Sequence, residues 1–375
     1  MTTRRKFIKG AATSMVAFCT CGLIDAAHAQ LSHKHADLGT KRKPVIIEGK
    51  RVKTIDVHSH CIFHDAVALM GAEAKNVEPQ VKGAPEHYIP VSDKGAVEGR
   101  LAAMDAMGID MEVLSVNPFW YRKDRDTATE IVKINNERLA ELCAAYPKRL
   151  AAFASLSLQY PDLAVQQLEQ AVKRQGLRGA AIGASVAGED FYEPKFNPVW
   201  AKAEELGAVL FIHPQSTPEL AQRFKGNGWL SNIIGNPLDT TIALQHLIFE
   251  GTLDKFPGLK IIAAHGGGYL ASYAPRSDHA CFVSPVNCNP DIVLKKKPTE
   301  YLNQIYFDAL VFTPEALRHL VAQVGASQVV IGTDHPIPWE EHPVDHVMAA
   351  TTLSEAQRAA ILGGNAAKLL SIKDI

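Results

Sequence analysis

The chain predicts an α/β fold, a (β/α)8 TIM barrel with its working groups at the C-terminal ends of the strands. Two observations carry this. Short apolar runs alternate with longer segments of helical spacing, and there are eight such runs. Histidines and an aspartate stand at the ends of four of those runs, where barrel enzymes place their chemistry.

The runs that read as strands are Val52–Val57, Met111–Val116, Leu150–Leu158, Gly179–Ala184, Ala208–His213, Lys260–His265, Ile305–Asp308 and Val329–Thr333. Between and after them, apolar residues recur at helical spacing over 97–107, 127–146, 161–175, 197–206, 237–250, 314–324 and 354–370. A doubly wound sheet is the competing arrangement, but no glycine-rich phosphate fingerprint follows the first strand. Residues 61–96 and 214–236 are long insertions rich in Gly and Pro, expected as loops over the barrel mouth.

The barrel is assigned to 52–375, and what precedes it reads differently. Thr3-Arg4-Arg5-Lys6-Phe7-Ile8-Lys9 is a twin-arginine pattern, followed by a mostly apolar run from Gly10 to Ile24 and a small-x-small site at Ala27-His28-Ala29. Residues 1–29 are therefore expected to be a twin-arginine signal peptide, giving a periplasmic protein that starts at Gln30. The apolar run is too short for a stable membrane anchor. A lipid anchor at Cys19 or Cys21 is disfavoured, because Ala17-Phe18 makes a poor lipobox. Residues 30–51 are polar and basic and read as a linker. A net charge of −1 gives no electrostatic case for nucleic acid or an anionic membrane, so a small-molecule partner is expected. Outside the signal, the cysteines are Cys61, Cys143, Cys281 and Cys288, with no C-x-x-C pair. Cys281 and Cys288 could close a small loop in an oxidising compartment, and four unpaired thiols are the equal alternative.

The chemistry gathers at the strand ends. His58 and His60 close the first strand, His213 the fifth, His265 the sixth and Asp334 the eighth. Residues two apart on a strand face the same side, so His58 and His60 both point to the barrel axis. A lone histidine at a strand end is more often a satisfied polar residue than a ligand. Four histidines and an aspartate at the same end of one predicted barrel are another matter, and imidazoles with a carboxylate suit a divalent metal, Zn2+ first, with Mn2+, Fe2+ or Co2+ also fitting.

Asp56-Val57-His58-Ser59-His60, Ala264-His265-Gly266-Gly267-Gly268 and Gly332-Thr333-Asp334-His335-Pro336 resemble the amidohydrolase-2 branch of the amidohydrolase superfamily, and within it aminocarboxymuconate-semialdehyde decarboxylase and its relatives. The likeness spans roughly residues 52–370. It implies a barrel, a single divalent metal, and carbon–carbon lyase or hydrolase chemistry on carboxylated substrates. On this resemblance His58, His60, His213 and Asp334 are the metal ligands, and His265 is the catalytic histidine beside a metal-bound water, with Asp334. Arg100 would hold a substrate carboxylate, Arg276 would reach the neighbouring subunit's site in a homodimer, and Trp229 would line the pocket. Without the resemblance, Arg100 and Arg276 read as solvated helix residues.

The run Gly179-Ala180-Ala181-Ile182-Gly183-Ala184-Ser185 contains no lysine to bridge two metals, so one metal is expected. The chain departs from the decarboxylase pattern at His335, where an aromatic residue is usual, and at Cys61-Ile62-Phe63-His64, which lacks a proline. The leading expectation is a non-oxidative decarboxylase of a small unsaturated or aromatic carboxylate. The alternatives are a lactonase- or amidase-type hydrolase using the same residues, and a catalytically dead periplasmic binding protein. A phosphoesterase would need further acidic ligands on the middle strands. Asp308 is available but fits a supporting role that orients Arg or His.

Overall fold

The structure, a computed structural model, describes residues 44–76, 94–215 and 217–373. The expected signal peptide and the first part of the expected linker lie outside the described residues. The rest of that linker is not one. Val45–Ile47 (β1) pairs antiparallel with Lys50–Val52 (β2), and the connection is Glu48-Gly49. Both turn residues have positive φ, 49° and 72°, the backbone that a two-residue hairpin with right-handed strand twist requires. The surrounding basic residues mask three consecutive apolar side chains, and that is why composition alone read this stretch as linker.

Eight parallel strands follow: β3 (Ile55–His60), β4 (Met111–Ser115), β5 (Leu150–Ala152), β6 (Gly179–Ile182), β7 (Val209–Ile212), β8 (Lys260–Ala263), β9 (Ile305–Asp308) and β10 (Val329–Val330). The barrel's first strand therefore starts three residues later than the apolar run suggests, because Val52 belongs to the hairpin. Continuous ladders join β3-β4-β5 and β6-β7-β8-β9-β10. Isolated parallel bridges connect these two sheets at both edges: Ala154 with Ala180 on one side, Asp56 with Ile331 and Ser59 with His335 on the other. Successive strands are parallel and separated by helices, the (β/α)8 arrangement.

Helices Lys94–Met107, Arg125–Ala145, Pro161–Arg174, Asn197–Leu206, Asn236–Phe249 and Pro314–Val324 fall where the helical spacing places them. Their starts are chemically marked: Asp124 and Thr313 accept from the amides three residues on, and Pro occupies the first turn of four of the six. Each buries one stripe, as Pro161–Arg174 does with Ala164, Leu168 and Ala171. Helices Leu270–Ser277 and Pro343–Ala349 were not expected; the first begins straight after three glycines and contains Pro275, which breaks its pattern. Among the described residues no helix is long and apolar enough to cross a membrane. Cys281 and Cys288 are joined by a disulfide, while Cys61 and Cys143 are free thiols.

Two apolar layers result. Inside the barrel, Ile55, Val57, Met111, Val113, Phe153, Val209, Phe211, Ile262 and Val330 pack together, with Ala366, Leu369 and Leu370 of the last helix against them. A second, larger layer lies between strands and helices. The C-terminal segment expected as one helix over 354–370 is interrupted by a wider turn at Ala360–Gly364. Gly363 explains the interruption: a Cβ there would sit 2.1 Å from the Lys53 carbonyl oxygen, so the helix crosses the entry to β3 at backbone contact. Gly363→Ala is expected to lower the unfolding free energy by ~1–3 kcal/mol in urea titrations. Gly364→Ala, where the nearest atom would be 3.6 Å away, is expected to be neutral or slightly stabilising.

Candidate metal centre

The two strand-end clusters meet at the edge where β3 faces the segment after β10. His58 and His60 come from β3, His213 follows β7, His265 follows β8, and Asp334 follows β10. The pairing of β3 with β4 shifts register between Asp56 and Ser59, at His58 itself, a local irregularity of the kind that re-aims side chains at sites. One donor atom from each of His58, His60, His213 and Asp334 lies within 4.8 Å of the others, and all four residues are buried. Asp334 Oδ1 is 2.8 Å from His60 Nε2 and 3.3 Å from His58 Nε2, and those two nitrogens are 3.2 Å apart.

The hydrogen bonds behind the ligands fix their tautomers. His58 Nδ1 is 2.6 Å from Asp308 Oδ2, so the proton sits there and Nε2 offers a lone pair. Ser115 Oγ donates to the Ser59 carbonyl and lies 3.1 Å from His60 Nδ1. With the hydroxyl proton so used, Nδ1–H donates to Ser115 and Nε2 again points its lone pair inward. His213 is the sharpest case. Both its ring nitrogens are buried without a partner among the described residues, an arrangement that costs ~1–3 kcal/mol per orphaned group in the absence of a cation. Three imidazole lone pairs and one carboxylate converging on one point fit a divalent ion.

Charge agrees with this reading. Burial pushes His213 and His60 below the ordinary histidine range. Burial would lower His58 too, yet with no ion bound the carboxylates of Asp334 and Asp308 raise it to about 10, so a proton takes the place that a cation would fill. Against the opposing effect of burial, His58 and its neighbours hold Asp334 well below the usual carboxylate range. Two carboxylates, Asp334 and Asp308, thus stay ionised beside four imidazoles, a site built to receive positive charge.

Asp308 ties the site to the loop of His265. Besides His58 it accepts from the backbone amides of His265 at 2.9 Å and Gly266 at 2.8 Å. The glycines after His265 are obligatory: a Cβ on Gly268 would sit 2.0 Å from the Pro237 carbonyl oxygen, at positive φ. His265 itself has φ +56° and Asp334 φ +63°, with Trp229 and Phe312 also positive, so four of the seven such non-glycine residues among the described residues border this site. His265 Nε2 is 3.5 Å from Asp334 Oδ2, and its Nδ1 is buried without a partner among the described residues.

Above His265 opens a cavity of about 110 Å3 lined by Asn232, Ile233, Asn236, Pro237, Phe312 and Trp339. Trp229 stacks on Trp339 with ring centroids 5.8 Å apart and planes 13° from parallel. Trp229 is thus at the rim of the cavity, half exposed. The insertion 214–236 borders the mouth as its composition suggests. The arginines are placed differently. Arg100 is wholly enclosed, with Nε 2.5 Å from Glu112 Oε2 and Nη1 donating to the His60 carbonyl at 2.8 Å, and it does not line the cavity. Arg276 is exposed on Leu270–Ser277, outside the ligand cluster.

Sequence reasoning missed Phe312, Trp339, Asn232, Asn236, Ser115 and Glu112. Trp339 had a signal, since it sits in the loop after the last strand, five residues beyond Asp334. Glu112 had one too, an acidic residue inside an apolar strand.

Two measurements check this part of the structure. The His58→Ala/His60→Ala double variant is expected to lose the roughly one divalent ion per chain that mass spectrometry should find in the wild type. Asp239, in the first turn of Asn236–Phe249, accepts from the Gln215 amide at 3.0 Å and is pushed up to about 7 by burial, with Glu219 and Asp190 adding to it. A raised carboxyl favours folding at low pH, and that advantage disappears as pH climbs from the ordinary carboxylate range through 7. Wild-type stability in urea is expected to fall over that interval, and Asp239→Asn is expected to remove the fall.

An amidohydrolase family model matches residues 55–372. The 2-amino-3-carboxymuconate-6-semialdehyde decarboxylase of Dictyostelium discoideum is 31% identical over 276 residues, covering 73% of this chain and 76% of that protein. Among solved structures, 5-carboxyvanillate decarboxylase from Sphingomonas paucimobilis superposes with a TM-score of 0.74 at 26% identity, covering 86% of this chain and 100% of the other. A dihydroxybenzoic acid decarboxylase from Polaromonas sp., solved with bound manganese and the inhibitor 2-nitroresorcinol, gives 0.72 at 26% identity, covering 86% and 98%. The barrel, the ligand set at its rim and the extent of these matches agree, and the chain belongs to the amidohydrolase family.

Proposed function

We propose that this enzyme is a metal-dependent, non-oxidative decarboxylase of a small aromatic carboxylate. One observation carries the choice within the family: His265, its Nδ1 without a partner among the described residues, stands between the ligand cluster and a cavity walled by Phe312 and Trp339. A planar ring fits against such walls by offset stacking and edge contacts. The relatives and the superposed structures act, by their names, on carboxylated aromatic or unsaturated compounds, which supports the same substrate class.

A divalent ion at His58, His60, His213 and Asp334 supplies Lewis acidity and a fixed positive charge opposite the substrate's anionic groups. Zinc suits the three imidazoles, and the manganese in the Polaromonas structure supports that ion equally. His265 does the proton work. Its imidazolium delivers a proton to the ring carbon that bears the carboxylate, the C–C bond to that carboxylate breaks, its electron pair returns to the ring, and CO2 leaves. Asp334 Oδ2, 3.5 Å from Nε2, orients the imidazole. The low exposure of the ligands keeps water from the carbon being protonated.

Arg276 belongs to this reading as the group that completes a neighbouring subunit's site in a homodimer, which accords with its exposure on a helix that leads away from His265. The twin-arginine pattern Thr3-Arg4-Arg5-Lys6-Phe7-Ile8-Lys9 and the Ala27-His28-Ala29 site support a periplasmic setting for the reaction.

CO2 release from hydroxylated and methoxylated benzoates is the deciding assay. His265→Ala is expected to lower kcat by ~10²–10⁴-fold with the metal retained. Ring opening of lactones without CO2 release from any carboxylate would replace the decarboxylase with the hydrolase reading. Trp339→Ala is expected to raise KM far more than it lowers kcat, because its wall serves binding before chemistry.

A further inference from the structure

The residue after the ligand Asp334 is His335, and its surroundings form a closed circuit. His335 Nδ1 lies 2.8 Å from Glu112 Oε1. The other carboxylate oxygen, Oε2, accepts from Arg100 Nε at 2.5 Å. Arg100 Nη1 donates to the His60 carbonyl at 2.8 Å, and the His60 amide donates to the His335 carbonyl at 2.6 Å. Four hydrogen bonds thus run from His60 to His335 and back through two fully buried charged side chains. Burial would raise the Glu112 carboxyl, but Arg100 and His335 hold it down to about 2, so the pair is ionised.

This circuit sits at one of the two seams between the barrel's sheets. β3 and the segment after β10 share no continuous ladder; the bridges Asp56–Ile331 and Ser59–His335 join them, and the amides of Val57, Asp334 and His60 donate to the carbonyls of Ile331, His58 and His335. Yet His60 and Asp334, whose side chains meet at 2.8 Å, come from opposite sides of that gap. Burying an Arg–Glu–His network for fold alone is poor value, since apolar residues of the same volume often stabilise as well or better. What such a network supplies is fixed geometry, and a metal site needs its donors held to within about 0.5 Å.

We infer that Arg100, Glu112 and His335 form a positioning ring that sets the separation of His60 and Asp334, and through it the affinity of the site for its divalent ion. This rests on the metal assignment above. It makes Arg100 a residue that acts through His60 rather than on a substrate carboxylate, and it gives a role to His335.

The test measures Mn2+ affinity by chelator competition for the wild type, Glu112→Gln, His335→Phe and the double variant, with the electron paramagnetic resonance line shape of bound Mn2+ and the thermal midpoint of the metal-free proteins. Each single variant is expected to weaken Mn2+ ~10–100-fold and to broaden the bound signal. The double variant is expected to be no weaker than the worse single, because a ring opened once is already open. His335→Phe, only partly buried, is expected to keep the metal-free midpoint within a few degrees, and it carries the test alone if Glu112→Gln fails to fold. Unchanged Mn2+ affinity with a raised KM would overturn the inference in favour of substrate contact, and multiplicative losses in the double variant would overturn it too. A wild type that binds neither Mn2+ nor Zn2+ would fail the metal assignment itself, an outcome distinct from intact binding that ignores the ring.

Discussion

Everything at this site depends on how the first barrel strand is held against the last. Three of the four ligands, His58, His60 and Asp334, straddle that seam, which has two isolated bridges and three backbone hydrogen bonds in place of a continuous ladder. Side chains reinforce them. Asp56, fully buried, accepts from the Thr333 hydroxyl at 2.5 Å, the Thr333 amide at 3.2 Å and the His58 amide at 2.9 Å. Burial, with Glu112 nearby, pushes Asp56 up to about 7, so the closure uses a carboxyl whose ionisation is itself opposed by the interior. Gly332 completes the contact: a Cβ there would lie 2.7 Å from Asp308 Cβ and 2.9 Å from His58 Cβ, so the last strand can approach the first only as bare backbone.

Asp308 extends this constraint to the chemistry. Its carboxylate is shared between a ligand ring, His58, and the amides that open the loop of His265. A buried carboxylate has about four lone-pair positions, and here they serve two functional residues at once. Movement of His265 is therefore felt at His58 through one rigid group, and the proton-handling histidine cannot be placed independently of the ion. The obligatory glycines behind His265 narrow the loop's freedom further, because only backbone fits against Pro237 and Phe307.

The parts of this arrangement that follow from local pattern were legible in the sequence. Helical spacing locates most helices to within a few residues, and the strand-end rule finds the ligands, because both are properties of consecutive residues. The supporting role of Asp308 was legible from its place at the end of a strand. Arg100 was not legible in its placement. It reads as a substrate anchor or a solvated helix residue, and which it touches depends on Glu112 reaching it across 12 residues of chain and a loop. The rest of the aromatic wall was missed for the same reason: Phe312 and Trp339 are far from Trp229 in sequence and share a surface with it only after the barrel has formed. The hairpin at 45–52 was missed for a different one, a basic composition that outweighed a short apolar run.

The donor set also limits what the site can bind. Three neutral imidazoles and one carboxylate around a divalent ion would leave the ligand set near +1, and the Asp308 carboxylate behind His58 offsets that charge. A second ion would raise the ligand set to about +3, and the end of β6 offers it no bridging side chain. At the end of β6 stands Gly183, where a Cβ would meet the Ser185 carbonyl oxygen at 2.7 Å and the Tyr121 ring at 3.1 Å. A bridging side chain is excluded there by packing as well as by sequence. One ion, one carboxylate ligand and aromatic walls together fit the small planar carboxylate proposed above, and among the described residues the cavity lining holds no Arg or Lys to meet the larger charge of a phosphate ester.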